Sequence, residues 1–307
     1  MIQCIPSVLT SSAGPALDVR AWLPEVPPMA VVQFVHGMSE HIDRYDAPAR
    51  YLASRGYLVV GHTHLGHGPR AEIKGYFARE NGWQRLIDDV HALRLRTQKE
   101  YPRLPYFILG HSMGSFVVRC YLREHAAGLA GCMLSGTGCI PKGTAATGEI
   151  VSNLICHLGG AKKPSRLIDK LGFSASNKPF APNRTPFDWL SRDERAVDRY
   201  IADPDCGFVF TASGYRDLFR GLLRLAELDE MRKIPKDLPL LLFSGDQDPV
   251  GGMGEGVRQV AEEFRQAGLA DVTVKLYPHA RHETFNELNR DKVYSDLVQW
   301  LKIHMKG

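Results

Sequence analysis

Cysteine is scarce in this 307-residue chain, with only Cys4, Cys120, Cys132, Cys139, Cys156 and Cys206. No two of them stand as C-x-x-C, which argues against a zinc ribbon or a thioredoxin-type pair. So low a density also excludes a disulfide framework, and free thiols in a reducing, cytoplasmic setting are expected. An excess of one charge is lacking too. Thirty-eight Lys and Arg face 34 Asp and Glu, a formal net charge of +4. That balance makes no case for a nucleic-acid partner. No window holds about 18 uncharged apolar residues, so no transmembrane helix is expected. The opening MIQCIPSVLTSSAG has neither the basic nor the long apolar region of a secretory signal. Internal repeats and low-complexity tracts are absent.

What is present is an average globular composition, 44% hydrophobic and 23% charged. Short apolar runs alternate with longer amphipathic stretches. The runs are Ala30–His36, Tyr57–Gly61, Tyr106–Gly110, Leu129–Leu134 and Leu238–Ser244, and Val272–Tyr277 is the expected last strand. Continuous apolar runs of this length suit strands buried on both faces. Helical patterns lie between them, at Tyr45–Ser54, Trp83–Tyr101, Met113–Glu124, Gly252–Ala267 and Glu283–Met305. The alternating Leu17–Leu23 fits an opening antiparallel hairpin. The pattern predicts an α/β fold, a mostly parallel central sheet with helices on both faces. From about Ile140 to Leu225 no core strand is expected, and a stretch that long is more than a loop. It reads as a helical cap insertion over the strand ends, where open α/β sheets bind ligands. Residues 1–139 and 226–307 would then form the core and 140–225 the cap.

The sharpest local signal is Gly110-His111-Ser112-Met113-Gly114, placed between the run YFILG and a helical pattern. G-x-S-x-G in strand–turn–helix context is a nucleophile elbow, which lifts the Ser112 hydroxyl to the top of the sheet. A helix N-cap serine is the plainer alternative, but it leaves the flanking glycines unexplained. A serine hydroxyl needs a base to take its proton, and in this arrangement an acid and then a histidine follow in the chain. After LPLLLFS, Asp246 and Asp248 compete for the acid. Asp248 lies further into the turn and precedes Pro249, which favours it, while Asp246 can cap the turn. After the last expected strand, His279 and His282 compete for the base. His282 stands just before the final helical stretch, where it can face the strand ends; His304, near the end of that stretch, reads as surface.

His36-Gly37-Met38 follows the Ala30–His36 run, where one oxyanion N–H is supplied. The backbone N–H groups of Met38 and Met113 are therefore the expected oxyanion hole, and His36 is expected to order the loop. His62, His64 and His67 cluster in HTHLGHG but lack a carboxylate set out as a ligand. They read as loop-ordering residues, with no metal and no cofactor expected.

These motifs together resemble one family. HGMSEHIDRY at His36–Tyr45, HLGHG at His64–Gly68, GHSMG at Gly110–Gly114, GDQDPV at Gly245–Val250 and YPHARHE at Tyr277–Glu283 look like the α/β-hydrolases of the serine aminopeptidase-like group. That group includes monoacylglycerol lipases and bacterial lysophospholipases. The resemblance runs over nearly the whole chain, and H-G-x-x-E-H-x-x-R-Y is far more specific than G-x-S-x-G. It implies Ser112 as nucleophile, Asp248 as acid, His282 as base and a helical cap in mid-chain. Members often carry Asp where Thr63 stands, and a Ser shortly after H-x-G-H-G where Pro69-Arg70 stands here; both departures touch the loop beside the site. The expected activity is hydrolysis of carboxylic esters of lipids, monoacylglycerol or lysophospholipid, by an acyl-enzyme route. A small-ester carboxylesterase or peptidase on the same residues is the alternative, and a non-catalytic ligand receptor a third reading.

Pro141–Phe187 holds seven basic residues, Lys142, Lys162, Lys163, Arg166, Lys170, Lys178 and Arg184, against Glu149 and Asp169, a net +5. It also holds Leu154, Ile155, Leu158, Leu167, Ile168, Leu171 and Phe173, which could line an acyl tunnel or pack the cap on the sheet. Transient contact with a membrane or micelle surface through this segment is one reading; a solvated basic face is the other.

Overall fold

The computed structural model describes residues 2–173 and 175–305; the side chains of Phe173 and Leu228 are outside what it describes. Eight strands form one sheet: β1 (Gln3–Thr10), β2 (Ala16–Leu23), β3 (Ala30–Val35), β4 (Tyr57–His62), β5 (Tyr106–His111), β6 (Gly131–Ser135), β7 (Leu240–Gly245) and β8 (Val272–Tyr277). Their spatial order is β1-β2-β4-β3-β5-β6-β7-β8. β1 pairs antiparallel with β2, and β2 with β4. The remaining pairings are parallel. β3 to β7 are buried throughout, as their unbroken apolar runs require.

The helices are α1 (Asp46–Ala53), α2 (Gly82–Glu100), α3 (Met113–His125), α4 (Lys142–Ile155), α5 (Arg166–Phe173), α6 (Glu194–Ala202), α7 (Ala212–Leu225), α8 (Leu228–Met231), α9 (Glu255–Gln266) and α10 (Arg290–His304). α1 and α10 cover one sheet face, where Phe34, Phe107, Phe243, Leu52 and Leu297 share a core. α2, α3 and α9 cover the other, around Val35, Ile108, Val117, Leu134 and Val260. Among the described residues no strand lies between β6 and β7. That stretch carries α4 to α8, with α4 packed on α7 and α7 on α2 and α3. No described helix is long and apolar enough to cross a membrane.

Two boundaries differ from the periodicity. The helical pattern expected from Glu283 starts only at Arg290, after a short 3-10 turn at Thr284–Asn286. Polar contacts override the period there: Glu287 accepts from the backbone N–H of Arg192 and Arg281 and pairs with the Arg192 guanidinium. The helix expected from Gly252 starts at Glu255, because Gly252, Met253 and Gly254 all have positive φ.

Sheet order also locates the site. The chain leaves β3 toward β4 on one side, and leaves β5 toward β6 on the other. β3 and β5 are neighbours, so the turns at their C-terminal ends flank a switch point, where open α/β sheets leave a crevice.

Candidate active site

Ser112 occupies the turn between β5 and α3 with φ 52° and ψ −122°. A positive φ is costly for a residue with a Cβ and persists only where its surroundings fix it. Here Ser112 N–H donates to Ser135 O at 2.9 Å. The glycines of G-x-S-x-G are required by contact. A Cβ on Gly110 would stand 2.5 Å from Gly114 O, and one on Gly114 would stand 2.1 Å from Val35 O. Met113 is the first residue of α3, where a backbone N–H has no partner within the helix.

The turn after β3 lies against this elbow. A Cβ on Gly37 would come within 3.1 Å of Ser112 Cβ, so the turn that carries Met38 packs against the serine. His36 is fully buried. Its Nδ1 donates to Gly37 O at 2.8 Å and its Nε2 accepts from His64 N–H at 2.9 Å. Both ring nitrogens are committed to holding the loops after β3 and β4. His67 is bound similarly, to Leu65 O and Ser39 N–H. The ring nitrogens of His62 and His64 have no protein partner, and burial lowers the basicity of both.

From the other side, β7 and β8 bring an acid and a base together. Asp248 Oδ1 accepts from His282 Nδ1 at 2.9 Å, and both residues are buried. Ser244 Oγ donates to Asp248 Oδ2 at 2.6 Å and Val250 N–H to Oδ1 at 2.9 Å. Burial alone would raise the Asp248 carboxyl, but His282 and these donors hold it below the usual range. For His282 burial lowers the pKa, and the Asp248 charge and hydrogen bond outweigh it, so the net shift is upward. An ionised Asp248 fixes the proton on Nδ1 and leaves the Nε2 lone pair exposed to a donor. Asp246 does not reach this pair, and its Oδ1 has no protein partner. His279 is exposed, at φ 59°. The His282 ring lies 4.9 Å from that of His111, the residue before Ser112, and 2.9 Å from where a Cβ on Gly136 would stand. His304 bonds Asp271 at the far end of α10.

Sequence reading missed what fastens the two halves together. Arg44 makes a bidentate pair with Glu283, 2.7 Å on each arm, and also meets Glu40 at 2.5 Å. Tyr45 OH donates to Glu40 Oε1 at 2.8 Å, and so does Gly37 N–H at 2.6 Å. Four residues of H-G-x-x-E-H-x-x-R-Y plus Glu283 thus tie the turn after β3 to the His282 loop. Burial would raise the Glu283 carboxyl, but Arg44 pulls it down to about 2. The available signal was the motif's spacing, which puts Glu40 and Arg44 at i and i+4.

The segment between β6 and β7 reaches the His282 loop. Trp189 lies 5.0 Å ring to ring from His282, and Leu190 O accepts Glu283 N–H at 2.7 Å. Of its apolar residues Ile168 is buried and Ile155 packs on the core. Leu154, Leu158, Leu167 and Leu171 are exposed.

The sequence profile of the family described as serine aminopeptidase, S33 matches residues 26–289. A monoacylglycerol lipase from Mycolicibacterium smegmatis is 31% identical over 95% of either chain. The human monoglyceride lipase is 28% identical over 95% of this chain and 89% of its own. Among solved structures, a carboxyl esterase from Bacillus coagulans superimposes with a TM-score of 0.92 at 29% identity, covering 99% of this chain and 100% of that one.

Proposed function

This chain belongs to the serine aminopeptidase (S33) family of α/β-hydrolases and is an ester hydrolase, and we propose that it cleaves lipid carboxylic esters through Ser112, His282 and Asp248. The observation that carries this reading is the buried Asp248–His282 hydrogen bond beside a serine held at positive φ. Ser112 Oγ attacks the ester carbonyl carbon while His282 Nε2 takes the hydroxyl proton. Asp248 keeps the ring oriented and stabilises the imidazolium. The N–H groups of Met38 and Met113 receive the developing oxyanion, where losing one donor costs about 10²–10³ in rate. His282 returns the proton to the leaving alcohol. Water, activated by the same nitrogen, then releases the fatty acid, and no cofactor takes part.

Monoacylglycerol is the favoured substrate, with lysophospholipid next, because the matched relatives are monoacylglycerol lipases. Residues 140–225 act as the cap. Leu154, Leu158, Leu167 and Leu171 face solvent on it, and Lys163 and Arg166 of the same segment are exposed as well. Exposed apolar and basic side chains in one segment suit transient contact with an anionic lipid surface, each basic residue adding about 1 kcal/mol near it. The test is a hydrolysis screen of long-chain monoacylglycerols, lysophospholipids, short esters and aminoacyl amides. Highest kcat/KM on long-chain monoacylglycerol is expected. Turnover of short esters alone would make the protein a small-ester carboxylesterase, and turnover of amides alone a peptidase.

A further inference from the structure

Just beyond the turn after β3, a second group of side chains has metal-ligand chemistry and no part in ester cleavage. His41, Asp203 and Cys206 present a ring nitrogen, a carboxylate oxygen and a sulfur that all lie within 4.8 Å of one another. His41 belongs to the turn after β3, and the other two to the loop between α6 and α7. We propose that His41, Asp203 and Cys206 form a zinc site that fastens this loop to the turn after β3.

The donor set selects the ion. Calcium and magnesium take oxygen ligands, whereas one imidazole, one carboxylate and one thiolate suit zinc. Three protein ligands leave a fourth tetrahedral position for water. Ligands on zinc at about 2.0–2.3 Å stand about 3.3–3.6 Å apart. His41 Nε2 and Asp203 Oδ2 are now 2.8 Å apart and all three donors lie within 4.8 Å of one another, so the first pair must open and the donors must close on a common centre, by about 1 Å or less.

Three further features fit. First, the outer contacts are those that orient metal ligands. Asp203 Oδ1 accepts from Asp205 N–H at 2.9 Å, and Asp43 Oδ2, beyond hydrogen-bond distance at 3.9 Å, is the carboxylate nearest the other ring nitrogen of His41. Second, the surroundings are anionic. Glu40, Asp43, Asp203, Asp205 and Glu283 outnumber Arg20, Arg44 and Lys74, which pair with them, leaving a formal −2. Third, the two loops are already held together. Gly207 N–H and Tyr200 OH donate to Ser39 O at 2.9 and 3.1 Å, and Ser39 Oγ donates to Phe208 O at 2.7 Å. Ligands carried on pre-joined loops lose little freedom on binding.

Binding forms Zn–N, Zn–O and Zn–S bonds. The Nε2 proton shared with Asp203 gives way, with neutral His41 protonated on Nδ1 toward Asp43. The thiol proton of Cys206 passes to solvent, so each zinc releases at least one proton. Burial keeps that thiol protonated without metal.

The test uses the full chain, cleared with chelator and titrated with Co²⁺ and then Zn²⁺. One equivalent of Co²⁺ should give a thiolate-to-cobalt charge-transfer band that Zn²⁺ removes, and Zn²⁺ should raise the melting temperature. Cys206→Ser should abolish the band and weaken Zn²⁺ binding by at least about tenfold. Asp203→Asn and His41→Gln should keep the band but weaken binding, and Cys139→Ser should change neither. If Cys206→Ser does not fold, Cys206→Ala is read in its place. No stoichiometric band in the wild type, a band that survives loss of Cys206, or Zn²⁺ affinity unchanged in the Asp203 and His41 variants would each overturn the site.

Discussion

His282 and Asp248 are buried and bonded to each other, while Leu158 and Leu171, between β6 and β7, stand 79% and 73% exposed. Around the first pair, position is over-determined. The Arg44 cluster, the Ser244 hydroxyl and the close approach of Gly114 to β3 each fix one element of the site. From α4 through the helical turn at Cys156–Gly160 to α5, the buried face alone is constrained, and the outer face is free to vary. On the proposed function, the difference separates two jobs. A proton relay needs geometry that cannot drift, whereas a surface that meets lipid needs exposed apolar area and tolerates substitution. Damage should therefore be large and chemical in the first region, small and substrate-dependent in the second.

The largest expected effect is at Ser112. Ser112→Ala should lower kcat by about 10⁴ or more with the melting temperature nearly unchanged. His282→Ala should be almost as damaging, and the double variant little worse, since such residues act as a unit. Additive losses, measured by steady-state kinetics, would break the idea of one relay. Next comes the acid. Asp248→Asn should cost about 10⁴ in kcat by favouring the wrong His282 tautomer, while Asp246→Asn should cost far less. Equal losses at both aspartates would remove Asp248 from its role.

Glu283→Gln should act mainly on stability, by about 3 kcal/mol, because Arg44 is left partly unpaired in a buried setting. Its pH signature has a definite sign. The folded carboxyl is held down to about 2, so its contribution is full above the unfolded value of about 4.5 and fades as pH falls toward about 2. Denaturant unfolding of wild type and Glu283→Gln should therefore converge in acid. Activity should shift as well. His282 must be neutral to accept a proton, and its raised pKa moves the acid limb of kcat/KM upward from that of an ordinary imidazole. Glu283 is one of the charges that raise it, so Glu283→Gln should move that limb to lower pH. A limb that stays or rises would show that Glu283 does not reach the base.

The smallest effects are expected on the outer face. Leu158→Ser and Leu171→Ser should each change stability by less than about 0.5 kcal/mol. Turnover of a soluble short ester should be unaffected, while turnover of the same acyl chain in anionic micelles should fall. High salt should weaken the wild-type preference for anionic micelles, since it screens exposed charges. Equal losses on both substrates would place these leucines in the chemistry instead.

How much was legible in the sequence follows the same division. The strands could be read because β3 to β7 are buried on both faces, and burial writes itself as unbroken apolar runs. The elbow could be read because steric closeness forces glycine at 110 and 114. The Glu40–Arg44–Glu283 cluster could not, since its halves lie 239 residues apart and a charged residue in a loop looks solvated by default. The start of α10 was misplaced for the same reason: Glu287 has good helical periodicity, but its carboxylate is claimed by Arg192 and two backbone N–H groups. The exposed leucines of α4 and α5 were equally opaque. An apolar residue at helical spacing reads as core, and only the packing shows which face α7 covers.

Covalent labelling with a fluorophosphonate, located by peptide mass spectrometry, tests the central claim most directly. A serine activated by a buried His282–Asp248 pair should be labelled in one-to-one stoichiometry at Ser112, fast in the wild type and about 10³–10⁴ slower in Asp248→Asn, with no label in Ser112→Ala. Labelling at another residue, or a folded wild type that takes no label, would contradict the account.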